Sequence, residues 1–195
     1  AVAIIELSEQ GGTLHFLGLL SDGNVHSHID HLFAMIRKAA EQGVKSLRVH
    51  ALLDGRDVGE RTAMNYIRPT RELLDSISQE KGYDYQIASG GGRMVTTMDR
   101  YEADWDVVKR GWDTHVLGKG ETFPSAENAI QTLYDRDPEI TDQYLGQFVV
   151  ADEDGNPVGP IKDGDSVINF NFRGDRAIEI SRAFDEDGFD QFDRE

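Results

Sequence analysis

The chain contains no cysteine. That excludes disulfides, thiolate metal sites and cysteine nucleophiles, and it fits a reducing compartment, so a cytoplasmic location is expected. Long apolar runs are also missing. None approaches the ~20 residues a membrane-spanning helix needs, and no membrane partner is expected. The first twelve residues, AVAIIELSEQGG, lack Met, a basic flank and a small-residue cleavage site, so they do not read as a secretory signal. An excised piece of a longer chain or a processed chain is the expectation. Positive charge is scarce as well: 20 Lys and Arg face 36 Asp and Glu, for a formal net charge of −16. Repulsion at that level opposes nucleic acid as a partner. No GxxxxGK[ST] loop is present, which argues against a P-loop kinase, and no GxSxG elbow is present.

What is present suits a small anion. Of the 20 basic residues 14 are Arg, whose rigid fork grips carboxylate or phosphate bidentately. A negative exterior does not exclude an anionic substrate, which needs only a local cationic cluster. The length of 195 residues suffices for one full core, and no repeat or low-complexity linker divides it.

Apolar runs of strand type alternate with stretches of helical period. Residues 1–12 could end a helix. Thr13–Leu20 reads as a buried parallel strand, and His28–Gln42 as an amphipathic helix with Ser27 and Asp30 as a capping box and Gly43 as its stop. Ser46–Leu53 is the second strand. Glu60–Glu80 reads as helical, with a break at Pro69. Tyr83–Ser89 is a third strand, running into Gly90-Gly91-Gly92-Arg93, glycines that permit backbone conformations closed to other residues. Helices are expected over Asp99–Gly111, Thr122–Asp137 and Arg176–Phe184. A strand is expected over Asp165–Phe172 and a hairpin over Phe148–Ile161. The acidic tail is expected to fray or to continue into something further. The fold class is therefore α/β: one three-layer domain, a mostly parallel sheet flanked by helices, plus a small β-hairpin.

In such sheets ligands sit beyond the carboxyl ends of the strands, and that is where the chemistry-bearing residues fall. His26 lies in the loop after the first strand, where it can donate a hydrogen bond to an anion or simply pack. In Asp54-Gly55-Arg56-Asp57, an Arg stands beside a carboxylate able to handle a hydroxyl proton; a surface turn with a local ion pair is the plainer alternative. Arg93 follows the glycine run, and Arg100 lies just beyond it. Arg173 and Arg176 bracket Gly-Asp where a strand gives way to a helix, and helix N-termini attract anions; a salt-bridged junction using Asp175 is the plainer alternative. His26, His28 and His31 have spacings that could in principle meet one metal ion, the basis of a metal-dependent hydrolase reading. Exposed or capping histidines are the simpler account. No nucleophile stands out, so the chain reads as half an active site.

The stretches LLSDGNVHSH, HALLDGRD, GGGRMVTTMDR and NFNFRGDRAIEIS, in this order, resemble the motifs of the cofactor-independent (2,3-bisphosphoglycerate-independent) phosphoglycerate mutases. The resemblance covers almost the whole chain and matches the family's inserted transferase domain, residues 1–195. It implies an isomerase of glycolysis and gluconeogenesis that interconverts 3-phosphoglycerate and 2-phosphoglycerate through a phosphoserine intermediate. It implies that the serine and two Mn²⁺ ions belong to a phosphatase-like domain outside this chain, with no metal ligand within it, and that the fragment alone is inactive. It implies a monomer. His26, Arg56, Arg93 and Arg100 would grip the glycerate carboxylate and hydroxyls, Asp57 would accept and return the hydroxyl proton, and Arg173 and Arg176 would contact the phosphoryl group. The sequence departs from the family at Asn24, where Gly is usual, at Gly174, where Pro is usual, and by one extra residue between Arg93 and Arg100. A stand-alone binding module for small phosphorylated or carboxylated metabolites is the alternative.

Overall fold

The computed structural model describes residues 11–194. The expected helix end within residues 1–12 lies almost wholly outside that span. Six strands form one sheet: β1 (Leu14–Leu19), β2 (Ser46–Leu53), β3 (Asp84–Gly92), β4 (Glu121–Phe123), β5 (Phe148–Val150) and β6 (Ser166–Asn169). Their spatial order is β4-β5-β3-β2-β1-β6. All pairings are parallel except β3 with β5. Among the described residues there are five α-helices: α1 (Ile29–Glu41), α2 (Met64–Lys81), α3 (Trp105–His115), α4 (Ala126–Arg136) and α5 (Ile178–Asp185).

The central strands are covered on both faces, which is why their sequences read as continuous apolar runs. Leu14 and Phe16 of β1, with Leu47, Val49 and Ala51 of β2, pack under α1, α2 and α4 in the larger apolar cluster. Leu17, Leu19 and Leu52 point the other way, under α3 and α5. Burying a Leu or Ile of this kind contributes roughly 1.5–3 kcal/mol.

Several element ends differ from expectation, and each has a local cause. Helix α1 is capped by His28, whose side chain accepts from the Asp30 N–H. Ser27 does not form the expected capping box, because its hydroxyl donates to the Leu19 carbonyl instead. Helix α2 starts at Met64 rather than Glu60, since the buried carboxylate of Asp142 takes the N–H groups of Thr62 (2.7 Å) and Ala63 (2.8 Å). It then runs through Pro69 without the expected break. Ile67, Leu74 and Ile77 hold that face in the core, and one lost ladder bond does not overcome this. Residues 99–104 are a turn, and α3 begins only after Asp104, which caps it through the Asp106 N–H. Thr122 and Phe123 belong to β4, and Ser125 caps α4.

The glycine run is strand, not loop. Gly90, Gly91 and Gly92 continue β3 with no positive φ, so their use is closeness rather than conformational freedom. A Cβ on Gly90 would lie 2.6 Å from the Ala51 carbonyl, and one on Gly92 would lie 2.4 Å from the Gln143 carbonyl. The hairpin is present in reduced form. Its first arm, β5, joins the main sheet, and the second contributes the Ala151–Pro157 bridge and the Val158 N–H to the Val150 carbonyl. The last strand is short, and a single 3₁₀ turn, Gly174–Arg176, separates it from α5. The acidic tail does not fray: Phe189 and Phe192 pack on Trp105, and the Trp112 indole donates to the Arg194 carbonyl.

Candidate functional site

The strand exits of β1, β2, β3 and β6 meet at one edge of the sheet. There a cavity of about 110 Å³ is lined by Val25, His26, Arg56, Asp57, Arg93, Arg100, Arg173 and Arg176. All seven residues expected to contact substrate therefore share one cavity, and Val25 is the addition. Larger hollows occur elsewhere on the surface, but they carry no such convergence of charge.

Loop chemistry at each exit fixes the walls. After β1, the Ser21 hydroxyl accepts the Gly23 N–H (2.9 Å) and donates to Asp54 (2.6 Å), tying the first loop to the second. Asn24 sits at φ 55°, a left-handed position where Asn is among the few tolerated side chains. After β2, Gly55 turns with φ +58° against Asp142. Asp54 accepts the N–H groups of Arg56 (3.2 Å) and Asp57 (3.0 Å) in one turn. Burial pushes the Asp54 carboxyl up, but bonds from the Asp57 N–H, Ser21 and Arg93 outweigh it and hold it below its ordinary range.

Arg93 leaves β3 buried, at 2% exposure, and its Nη1 donates to Asp54 (2.7 Å) and Asp57 (2.6 Å). It thus anchors Asp57 as well as lining the cavity. Its Nε has no hydrogen-bond partner among the described residues. Arg176 is also buried, with Nη1 on the Met98 carbonyl at 2.8 Å. Burial, then the guanidiniums of Arg100 and Arg93, draw its pKa down from the arginine range. Arg173 and Arg100 are partly exposed and face Asp175, at 3.0 and 3.7 Å. His26 is buried, with Nδ1 3.5 Å from Asp175. Burial and the Arg93 charge lower its pKa, which favours the neutral ring. The Arg56 guanidinium is exposed and has no ion-pair partner among the described residues. Five guanidiniums thus line one cavity, three of them paired with Asp54, Asp57 or Asp175, in a chain that is otherwise strongly negative, and such a local cluster of positive charge can attract a small anion.

Sequence reasoning missed Asp54 as an organiser and offered Asp175 only as the centre of a salt-bridged junction, where it does face Arg173 at 3.0 Å. Both stand inside the quoted motifs, DGRD and RGDR, but nothing in their spacing says which arginine they hold. The three-histidine metal reading is not met. His28 caps α1, His31 packs edge-on against Phe172, and only His26 enters the cavity. Among the described residues no group of three or more His, Asp or Glu side chains could hold a metal ion. The side chains here do not fit a resident metal.

Among known families, the one described as "BPG-independent PGAM N-terminus" matches residues 1–195. A Leptospira interrogans protein named "Probable 2,3-bisphosphoglycerate-independent phosphoglycerate mutase" is 58% identical over 95% of this chain and 34% of its own length. The 2,3-bisphosphoglycerate-independent phosphoglycerate mutase of Trypanosoma brucei brucei is 52% identical over 96% of this chain, again 34% of its own length. A crystal structure of Leishmania mexicana phosphoglycerate mutase, obtained at low cobalt concentration, superposes with a TM-score of 0.96 at 48% identity. It covers 99% of this chain and 35% of that one. The chain spans about a third of the length of the relatives it matches.

Proposed function

Because the chain belongs to the family of BPG-independent phosphoglycerate mutase N-termini, we propose that it is the substrate-holding transferase domain of a two-domain mutase. That enzyme would interconvert 3-phosphoglycerate and 2-phosphoglycerate through a phosphoserine carried by the other, phosphatase-like domain. The observation that carries the reading is the arginine-lined cavity with Asp57 in its wall. Any metal would be bound outside this chain, and no step below passes through one.

The roles follow from what each side chain is free to do. Arg56 and Arg100, at the open rim, take the glycerate carboxylate, with His26 donating to an oxygen. Arg173 and Arg176 face the phosphoryl group from the 3₁₀ turn, where backbone N–H groups add to their charge. Asp57 rests one oxygen, Oδ2, on Arg93, which fixes the carboxylate against the cavity. As the serine oxygen takes the phosphoryl group, its P–O bond to glycerate breaks and Asp57 relays the serine's hydroxyl proton to that oxygen. On the way back Asp57 takes the proton from whichever hydroxyl attacks. The clamp keeps dephosphorylated glycerate in place between the two steps, so both hydroxyls stay within reach.

Closure against the second domain would exclude water that hydrolyses the intermediate. Exposed large apolar side chains support such a contact. Val25, Tyr101, Phe172 and Ile178 each stand within a few residues of a cavity-lining arginine or histidine. The test is Asp57→Asn in the full-length protein, with the chain alone as a control expected to give no turnover. The variant is expected to lose kcat by about 10²–10⁴-fold with little change in KM, the range of a general acid–base contribution. A change in KM alone would remove Asp57 from proton transfer.

A further inference from the structure

On the α3 side of the sheet, a row of buried polar groups crosses from β1 to the far side of β3. His15 Nε2 meets Asp165 at 3.1 Å, and His15 Nδ1 meets His50 Nε2 at 2.9 Å. His50 Nδ1 meets the Ser89 hydroxyl at 2.6 Å, and that hydroxyl meets His115 Nδ1 at 2.7 Å. His115 Nε2 meets the Thr97 hydroxyl at 3.0 Å, which meets Thr96 at 3.1 Å. From His15 to Thr97 every member is at most 1% exposed.

The proton order of this row can be derived. The Asp165 carboxylate already accepts the N–H groups of Thr13 and Lys162, and it can only accept again. His15 therefore carries its proton on Nε2. Its ring is neutral, because burial lowers its pKa, so Nδ1 must accept from His50 Nε2–H. His50 Nδ1 is then an acceptor, and the Ser89 hydroxyl must donate to it. Ser89 Oγ in turn accepts from His115 Nδ1–H. That leaves His115 Nε2 to accept from the Thr97 hydroxyl. One carboxylate at the edge of the sheet sets five consecutive hydrogen bonds in one direction.

The far end of the row is strained. Thr97 has φ 72°, which a β-branched residue rarely adopts and which persists only where the surroundings force it. Its hydroxyl is wedged against α3, where a Cβ on Gly111 would fall 2.3 Å from Thr97 Oγ1. The loop containing it begins with Arg93, ends at Arg100, and presents the Met98 carbonyl to Arg176.

We infer that the row Asp165–His15–His50–Ser89–His115–Thr97 is a positioning device for the arginine cavity. It holds the 93–100 loop in its strained form, so that Arg93, Arg100 and Arg176 face one ligand. The inference rests on the reading of that cavity as the phosphoglycerate site.

The test combines spectra and binding on the full-length protein that carries this chain. With ¹⁵N-labelled histidine, His15 and His50 are expected as Nε2–H tautomers and His115 as Nδ1–H; an Nε2–H His115 would overturn the inference. Thr97→Val keeps the shape and strain but removes the hydroxyl, whereas Thr97→Ser keeps the hydroxyl. By calorimetry, Thr97→Val is expected to weaken 3-phosphoglycerate binding about tenfold, and Thr97→Ser to stay within about twofold. Equal effects of the two variants would contradict the role. Should Thr97→Val fail to fold, Ser89→Ala interrupts the same row and is expected to abolish the Nδ1–H preference of His115 together with the binding loss. Failure of the full-length parent protein to bind 3-phosphoglycerate would count against the mutase reading. In that case the guanidinium resonances of Arg93 and Arg176 decide this inference: they are expected to shift in Thr97→Val and not in Thr97→Ser, and unshifted signals would refute it.

Discussion

The arginines of the cavity are unlike one another, and their differences predict different phenotypes. Arg173 is half-exposed and pairs with Asp175, whereas Arg176 is buried and holds the Met98 carbonyl. Arg173→Ala in the full-length protein should lower kcat/KM by a factor equivalent to roughly 2–4 kcal/mol of lost transition-state stabilisation, with unchanged thermal stability. Steady-state kinetics and a melting curve check this, and unchanged kinetics would remove Arg173 from the site. At this scale the sequence was highly legible: His26, Arg56, Asp57, Arg93, Arg100, Arg173 and Arg176 stand in motifs at strand exits and line one cavity. What it hid was pairing. Asp54 holds Arg93, 39 positions away. A carboxylate's neighbour in sequence does not disclose its partner in space.

Elements were legible wherever a signal was local. The span of β2 agrees with the apolar run that announced it, and β1 differs by one residue at each end. Helix ends were less legible, because their caps come from elsewhere. Asp142 fixes the start of α2 from 79 positions away, and the turn before Asp104 delays α3. Glycines 90–92 misled for a related reason: a close approach by β5 and the loop before it requires them, and proximity of that kind is invisible in sequence. Gly90→Ala would push a methyl group into the Ala51 carbonyl and the Phe148 ring. It should cost about 2–4 kcal/mol of stability by urea denaturation. Gly146→Ala, in open space, should stay within about 0.5 kcal/mol, and equal values for the two would contradict the packing argument.

The molecule as a whole carries its negative charge outside and gathers guanidiniums at one edge, while three histidines lie neutral inside. Burial lowers the pKa values of His15 and His50 and takes that of His115 down to about 3. Unfolding frees these rings to bind protons near pH 6.5, which the folded chain refuses. Stability should therefore fall as pH drops below 6.5, by up to about 1.4 kcal/mol per pH unit for each ring. Unfolding free energies measured at pH 7.5, 6 and 5 check the sign, and a flat or rising profile toward acid would contradict it. The central claim is that separate strand exits build one anion pocket for a phosphorylated three-carbon acid. Its most direct measurement is a titration of 3-phosphoglycerate into the chain with arginine and histidine side chains labelled with ¹⁵N. The account predicts that the guanidinium signals of Arg56, Arg100, Arg173 and Arg176 shift together with the His26 ring, along one binding curve. Stationary signals there, with shifts confined to arginines elsewhere such as Arg37 or Arg136, would contradict it.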